Sequence, residues 1–124
     1  MNPKRPVNLD LMTMKFPVMA IVSIFHRISG IILFLFLPLM LYFLSLSLNG
    51  AESFAHFQQM LTSPMYKLVI WVFCAALTYH LLAGIRHMIM DLGVGEGVCA
   101  GRASAIVVIV LAVILTIFLG FWIW

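Results

Sequence analysis

Three apolar runs, at roughly 18–48, 65–90 and 103–124, leave this chain very few ways to fold. Each is long enough to cross a hydrocarbon core of ~30 Å, which takes about 20 helical residues. Inside lipid a backbone can satisfy its own hydrogen bonds only as a helix or a closed barrel, and uninterrupted apolar runs of this length select the helix. Of the 124 residues 65% are hydrophobic and only 9% charged, against about 25% charged in a soluble domain. The sequence therefore predicts an all-α membrane protein, with an arm over 1–17 and a three-helix transmembrane domain over 18–124. Too little chain remains for a soluble catalytic domain. The first run carries His26 and Arg27 and is too long for a cleavable signal, so a multi-pass protein of a bacterial inner membrane is expected.

Basic residues set the expected orientation. Lys4, Arg5 and Lys15 precede the first span, and Arg102 is placed in the loop between the second and third. The loop over 49–63 has no Lys or Arg. The N-terminus is thus expected in the cytoplasm and the C-terminus in the periplasm, with Lys67 snorkelling and Trp71, Trp122 and Trp124 near the outer interface. That outer loop is weakly amphipathic and suits an interfacial turn of helix. Pro38 is a potential kink in the first span, and Pro64 suits the first turn of the second.

The chemistry concentrates near the end of the second span. His80, Gly84, His87 and Asp91 are spaced i, i+4, i+7, i+11 and share one helical face. Ionisable groups inside a bilayer are costly unless paired or coordinating, which makes them functional candidates by default. Ser23, His26 and Arg27 of the first span fall at a depth similar to Arg86, His87 and Asp91. His80 lies about 10 Å deeper than His87 at ~1.5 Å per residue. Imidazoles flanking a residue with no side chain suit a large flat group packed on Gly84. Haem fits, with iron near His80 and its carboxylates near His87, His26 and Arg27. His80 and His87 share a face of one helix and cannot bind opposite sides of one iron, so a second ligand must come from His26 or another chain.

Structural readings stand beside each of these. Arg86 and His87 also suit a snorkelling helix end, His26-Arg27 a headgroup contact, and His80 a histidine bonded to a neighbouring helix. His56 reads as a solvated loop residue. Cys74 and Cys99 are expected more than 20 Å apart and inert, with Cys99 in a loop. Gly93, Gly95 and Gly97 read as a flexible link, because no strand precedes them and no lysine follows. The third span carries no ionisable side chain and reads as a packing helix.

Three motifs carry a family resemblance. Arg5-Pro6-Val7-Asn8-Leu9-Asp10-Leu11, Ser23-Ile24-Phe25-His26-Arg27-Ile28-Ser29-Gly30 and His80-x3-Gly84-Ile85-Arg86-His87-x3-Asp91 resemble the cytochrome-b membrane anchors of bacterial succinate dehydrogenase, respiratory complex II. The match runs in order from the arm to the end of the second span. Many relatives have Ser-Pro-His in the arm where this chain has Val7-Asn8-Leu9-Asp10. The resemblance implies a subunit that binds haem b together with a second small anchor and forms part of a ubiquinone-reducing site fed by an iron–sulfur subunit. Succinate would be oxidised on a separate flavoprotein chain. By the same resemblance His80 is the axial haem ligand, with the second ligand on the partner anchor. His26, Arg27, Gly84 and His87 form the propionate and ring pocket, and Ser23 and Arg27 line the quinone site. Two other readings stay open: an anchor of a quinol:fumarate reductase, and a non-redox small transporter or assembly protein.

Overall fold

The computed structural model describes Asp10 and residues 16–124; the remainder of the arm, with Lys4, Arg5 and Lys15, lies outside the described residues. Four helices follow in order: α1 (Val18–Leu48), α2 (Ala51–Met60), α3 (Pro64–Asp91) and α4 (Val98–Ile123). Three of them, α1, α3 and α4, are long and apolar enough to span a membrane. The expected outer loop holds α2, a ten-residue helix. It lies against the far end of α1, where Phe43 is buried between Phe57 of α2 and Tyr66 of α3, at ring separations of 5.6 and 6.1 Å. Chain reversal before α2 passes through Gly50 at φ 106°, a conformation that L side chains rarely adopt.

Helix α1 continues through Pro38 as one element. Proline is tolerated in spans because neighbouring groups re-satisfy the freed carbonyl. Pro64 occupies the first turn of α3, as expected. At its other end α3 stops in a Schellman turn. Val94 N–H donates to Ile89 O and Gly93 N–H to Met90 O, with Gly93 at φ 81°.

The third span differs from its sequence reading. It begins at Val98 rather than at 103, with Gly97 as its N-cap. Cys99 and Arg102 therefore lie in the first turns of α4, not in a loop, and this helix does carry an ionisable side chain. In that earlier first turn Gly101 is buried so close to Met19 of α1 that a Cβ there would meet the thioether sulfur at 2.6 Å, while Cys99 and Ala100 are exposed.

The bundle is held by close approach of small side chains. Val22, Ala83, Ala105 and Val108 form the buried centre where α1, α3 and α4 meet. Lipid is as apolar as Leu, so helices in a membrane gain little from burying large side chains and associate by tight packing and interhelical hydrogen bonds. Two such bonds span the seams: Tyr79 Oη donates to Val22 O at 3.0 Å, and Trp71 Nε1 to Thr116 O at 2.9 Å. Trp71 is thus partly an interhelical strut, whereas Trp122 and Trp124 are exposed, as belt residues are. The free cysteines, Cys74 and Cys99, sit on different helices.

Candidate functional site

Three imidazoles gather where α1 begins and α3 ends. His26 of α1 stacks on His80 of α3, with ring centroids 4.3 Å apart and planes inclined 23°. His87, two turns further along α3, lies 5.2 Å from His26 at 45°. His26 therefore reaches across from α1 into the space between the two histidines of α3.

Two glycines make this possible. A Cβ on Gly84 would touch His26 Nε2 at 3.4 Å, and a Cβ on Gly30 would meet His80 Cε1 at 3.1 Å. Each helix thus carries a notch that receives the other helix's imidazole. The gap at Gly84, read from the sequence as a seat for a flat group, is faced here by a histidine ring. That pairing joins two helices, so the periodicity of α3 alone gives no sign of it.

A short network holds His80. Its Nδ1 lies 3.2 Å from the main-chain oxygen of His26 and 3.1 Å from Ser29 Oγ. Ser29 is buried and donates its own hydroxyl hydrogen to His26 O at 2.8 Å. Ser29 appeared in the sequence only as part of a motif. Its spacing of three from His26 is the one signal of this contact.

His26 and His80, stacked at 4.3 Å, leave no room for a macrocycle between them, and their in-plane lone pairs do not oppose one another. In this arrangement His26 does not supply the second axial ligand. Among the described residues no three His, Cys, Asp or Glu side chains converge as a bare-metal site. The set suits an iron macrocycle better than a bare ion: one imidazole is anchored through Nδ1, and two more lie nearby.

The other candidates lie around this cluster. Ser23 is half-buried, and Arg27, one turn later on the same face of α1, is exposed. Neither is hydrogen-bonded to the imidazoles among the described residues. Asp91 is exposed at the end of α3.

Arg86 departs from its expected place. It neither snorkels nor joins the histidines but is buried, 6% exposed, against α4. Its guanidinium donates from Nε to Ser104 Oγ and from Nη2 to Gly101 O, each at 3.0 Å, and Ser104 also donates to Gly101 O. Six residues beyond His80, Arg86 is turned about 240° from it at 100° per residue, towards another face of α3.

Comparison with known proteins completes the picture. Residues 1–119 match the family model for the succinate dehydrogenase/fumarate reductase transmembrane subunit. The chain is similar over its full length, at 52% identity, to the succinate dehydrogenase cytochrome b556 subunit of Coxiella burnetii, all of which is covered. It is 30% identical to the subunits of the same name from Rickettsia typhi and Paracoccus denitrificans. Those matches cover 94% and 91% of this chain and 90% and 87% of the relatives.

Proposed function

The chain belongs to the succinate dehydrogenase/fumarate reductase transmembrane subunit family, and on that premise we propose that it holds haem b jointly with a second small anchor and builds part of a ubiquinone-reduction site. It is a multi-pass subunit of a membrane-bound succinate dehydrogenase complex in the bacterial inner membrane. A non-redox transporter falls away with that membership.

The carrying observation is the convergence of His26, His80 and His87 at the Gly30 and Gly84 notches. His80 is the axial ligand in this reading, because it is the imidazole whose Nδ1 is engaged by neighbouring oxygens. Ligating histidines are usually oriented in this way through the second ring nitrogen. A partner anchor would provide a second ligand. His26, Arg27, Gly84 and His87 form the surrounding pocket, with the cationic Arg27 and the imidazole donors suited to propionate oxygens. When bound, the haem supplies a one-electron carrier within the anchor.

Ser23 and Arg27 serve the quinone. Its carbonyl oxygens accept hydrogen bonds and gain negative charge as two electrons arrive from an iron–sulfur subunit. Two protons from the aqueous side complete the quinol. A hydroxyl and a guanidinium one turn apart tighten their hold as that charge develops, and so favour reduction. Residues 1–124 carry no flavin-binding fingerprint, and the free Cys74 and Cys99 sit on separate helices and form no iron–sulfur ligand set. Succinate oxidation is therefore assigned to the flavoprotein partner. The distribution of basic residues supports a cytoplasmic N-terminal side, with the imidazole cluster and Arg27 on it, and a periplasmic C-terminus.

The test is a reduced-minus-oxidised absorbance spectrum of membranes carrying the assembled complex. His80→Ala is expected to remove or grossly alter the b-type signal. His87→Ala should leave axial ligation intact while weakening haem retention. The reverse pattern would exchange the two assignments.

A further inference from the structure

The two oxygens around His80 Nδ1 are unequal in what they can do. A main-chain carbonyl has no hydrogen to give, so the 3.2 Å contact with His26 O is a hydrogen bond only if Nδ1 carries the proton. Ser29 commits its hydroxyl hydrogen to the same carbonyl at 2.8 Å. Its lone pairs are then the partner that Nδ1 meets at 3.1 Å. Both contacts require the same tautomer.

We propose that Ser29 is a positioning residue for His80: together with the His26 carbonyl it keeps the ring proton on Nδ1 and leaves Nε2 as the atom that binds iron. This rests on the reading of His80 as the axial ligand and adds what holds it there. Gly30, the next residue of α1, lets the ring lie close enough to be gripped, because a Cβ would meet His80 Cε1 at 3.1 Å. Ser29 is buried inside the helix pair, so water does not readily replace it. Accepting a bond from Nδ1–H makes the imidazole a better electron donor, which favours ferric over ferrous iron. Weakening that acceptance should raise the haem midpoint potential without removing the ligand.

The experiment is a redox titration of the haem in the assembled complex, followed by optical spectra and low-temperature electron paramagnetic resonance. Ser29→Ala is expected to keep a bis-ligated low-spin spectrum. The ferrous-to-ferric ratio at a fixed ambient potential should rise several-fold, and the resonance g-values should shift. Ser29→Thr, which restores a hydroxyl, should return both towards the parent. If Ser29→Ala does not assemble, Ser29→Cys, close in size but a poor acceptor, is compared with Ser29→Thr in its place. A potential and g-values unchanged in Ser29→Ala, or equal in the hydroxyl-bearing and hydroxyl-free variants, would overturn the proposal. His80→Ala separates the two levels of the reading. If it spares the low-spin spectrum, the ligand assignment itself fails. If it abolishes the spectrum while the Ser29 series is flat, only the positioning role fails.

Discussion

Arg27 and Arg86 belong to the same end of the bundle, yet one is exposed on α1 and the other is buried against α4. Their surroundings differ in kind. On the seam between α1 and α3 the imidazoles are set in glycine notches, and one ring nitrogen of His80 is held by Ser29 and the His26 carbonyl. On the seam between α3 and α4 the guanidinium is tied to a carbonyl and a hydroxyl within the same chain. A charge whose donors are taken up by its own fold is structural. Arg27, exposed and without a hydrogen bond to the imidazoles among the described residues, is the charge proposed to meet a group that the chain does not itself contain.

That contrast is most exposed to failure at Arg27. Arg27→Leu is expected to lower quinone-linked turnover by about 2–4 kcal/mol of transition-state stabilisation, the usual cost of one oxyanion-type donor. At about 1.36 kcal/mol per decade this is tens- to a thousand-fold. Succinate oxidation by a soluble dye should persist, so the ratio of the two activities is the measurement. Ser23→Ala should move the ratio the same way but less, as a neutral donor does. An unchanged ratio in both would leave Arg27 as a propionate or headgroup contact.

Gly30→Ala comes next, since it presses on the histidine seam. The added methyl meets the His80 ring at 3.1 Å, and overpacking of this kind typically costs about 1–3 kcal/mol. Haem content per complex should fall. Gly84→Ala, with 3.4 Å of clearance to His26, should be milder, and equal effects would remove the asymmetry between the notches. Arg86→Ala tests the other seam. Losing two hydrogen bonds from a charged group should cost about 1–3 kcal/mol, from ~0.6 per interhelical bond in membranes up to ~1.5 per bond to a charged group. It should lower the thermal midpoint of the complex while the haem spectrum and the quinone-to-dye ratio stay put. Arg86→Ala altering that ratio at unchanged stability would dissolve the distinction between the arginines. Smallest is Tyr79→Phe, which deletes the bond to Val22 O. Interhelical bonds in membranes average about 0.6 kcal/mol, so a thermal shift barely above error is expected.

The three spans were legible because lipid leaves a long apolar run one structural option. Their edges were less so. Arg102 reads as a loop charge, yet Gly101 before it lies against Met19 of α1 and the helix already begins at Val98. The shared face of His80, Gly84 and His87 could be read from spacing alone. His26 filling the Gly84 notch could not, because it depends on the register between two helices. Arg86 was grouped with the histidines by depth, although its angular position on α3 already separated it from them. Depth alone is a poor guide when rotation about the helix axis decides which neighbour a side chain meets.

The reciprocal notches have a consequence for how the chain is assembled. Leu and Ile side chains sliding past one another in lipid lose little, so an apolar pair of spans has no strong preference for one alignment. Here a slip of one residue turns a helix by about 100° and moves it ~1.5 Å. His80 would then face a side chain instead of Gly30, and His26 would lose Gly84. The α1–α3 pair works as a key cut for a single depth of insertion, and the residues that set the depth are the ones proposed to hold the haem. On that proposal a misaligned pair would be left without cofactor, and haem uptake would itself report that the helices have found their register.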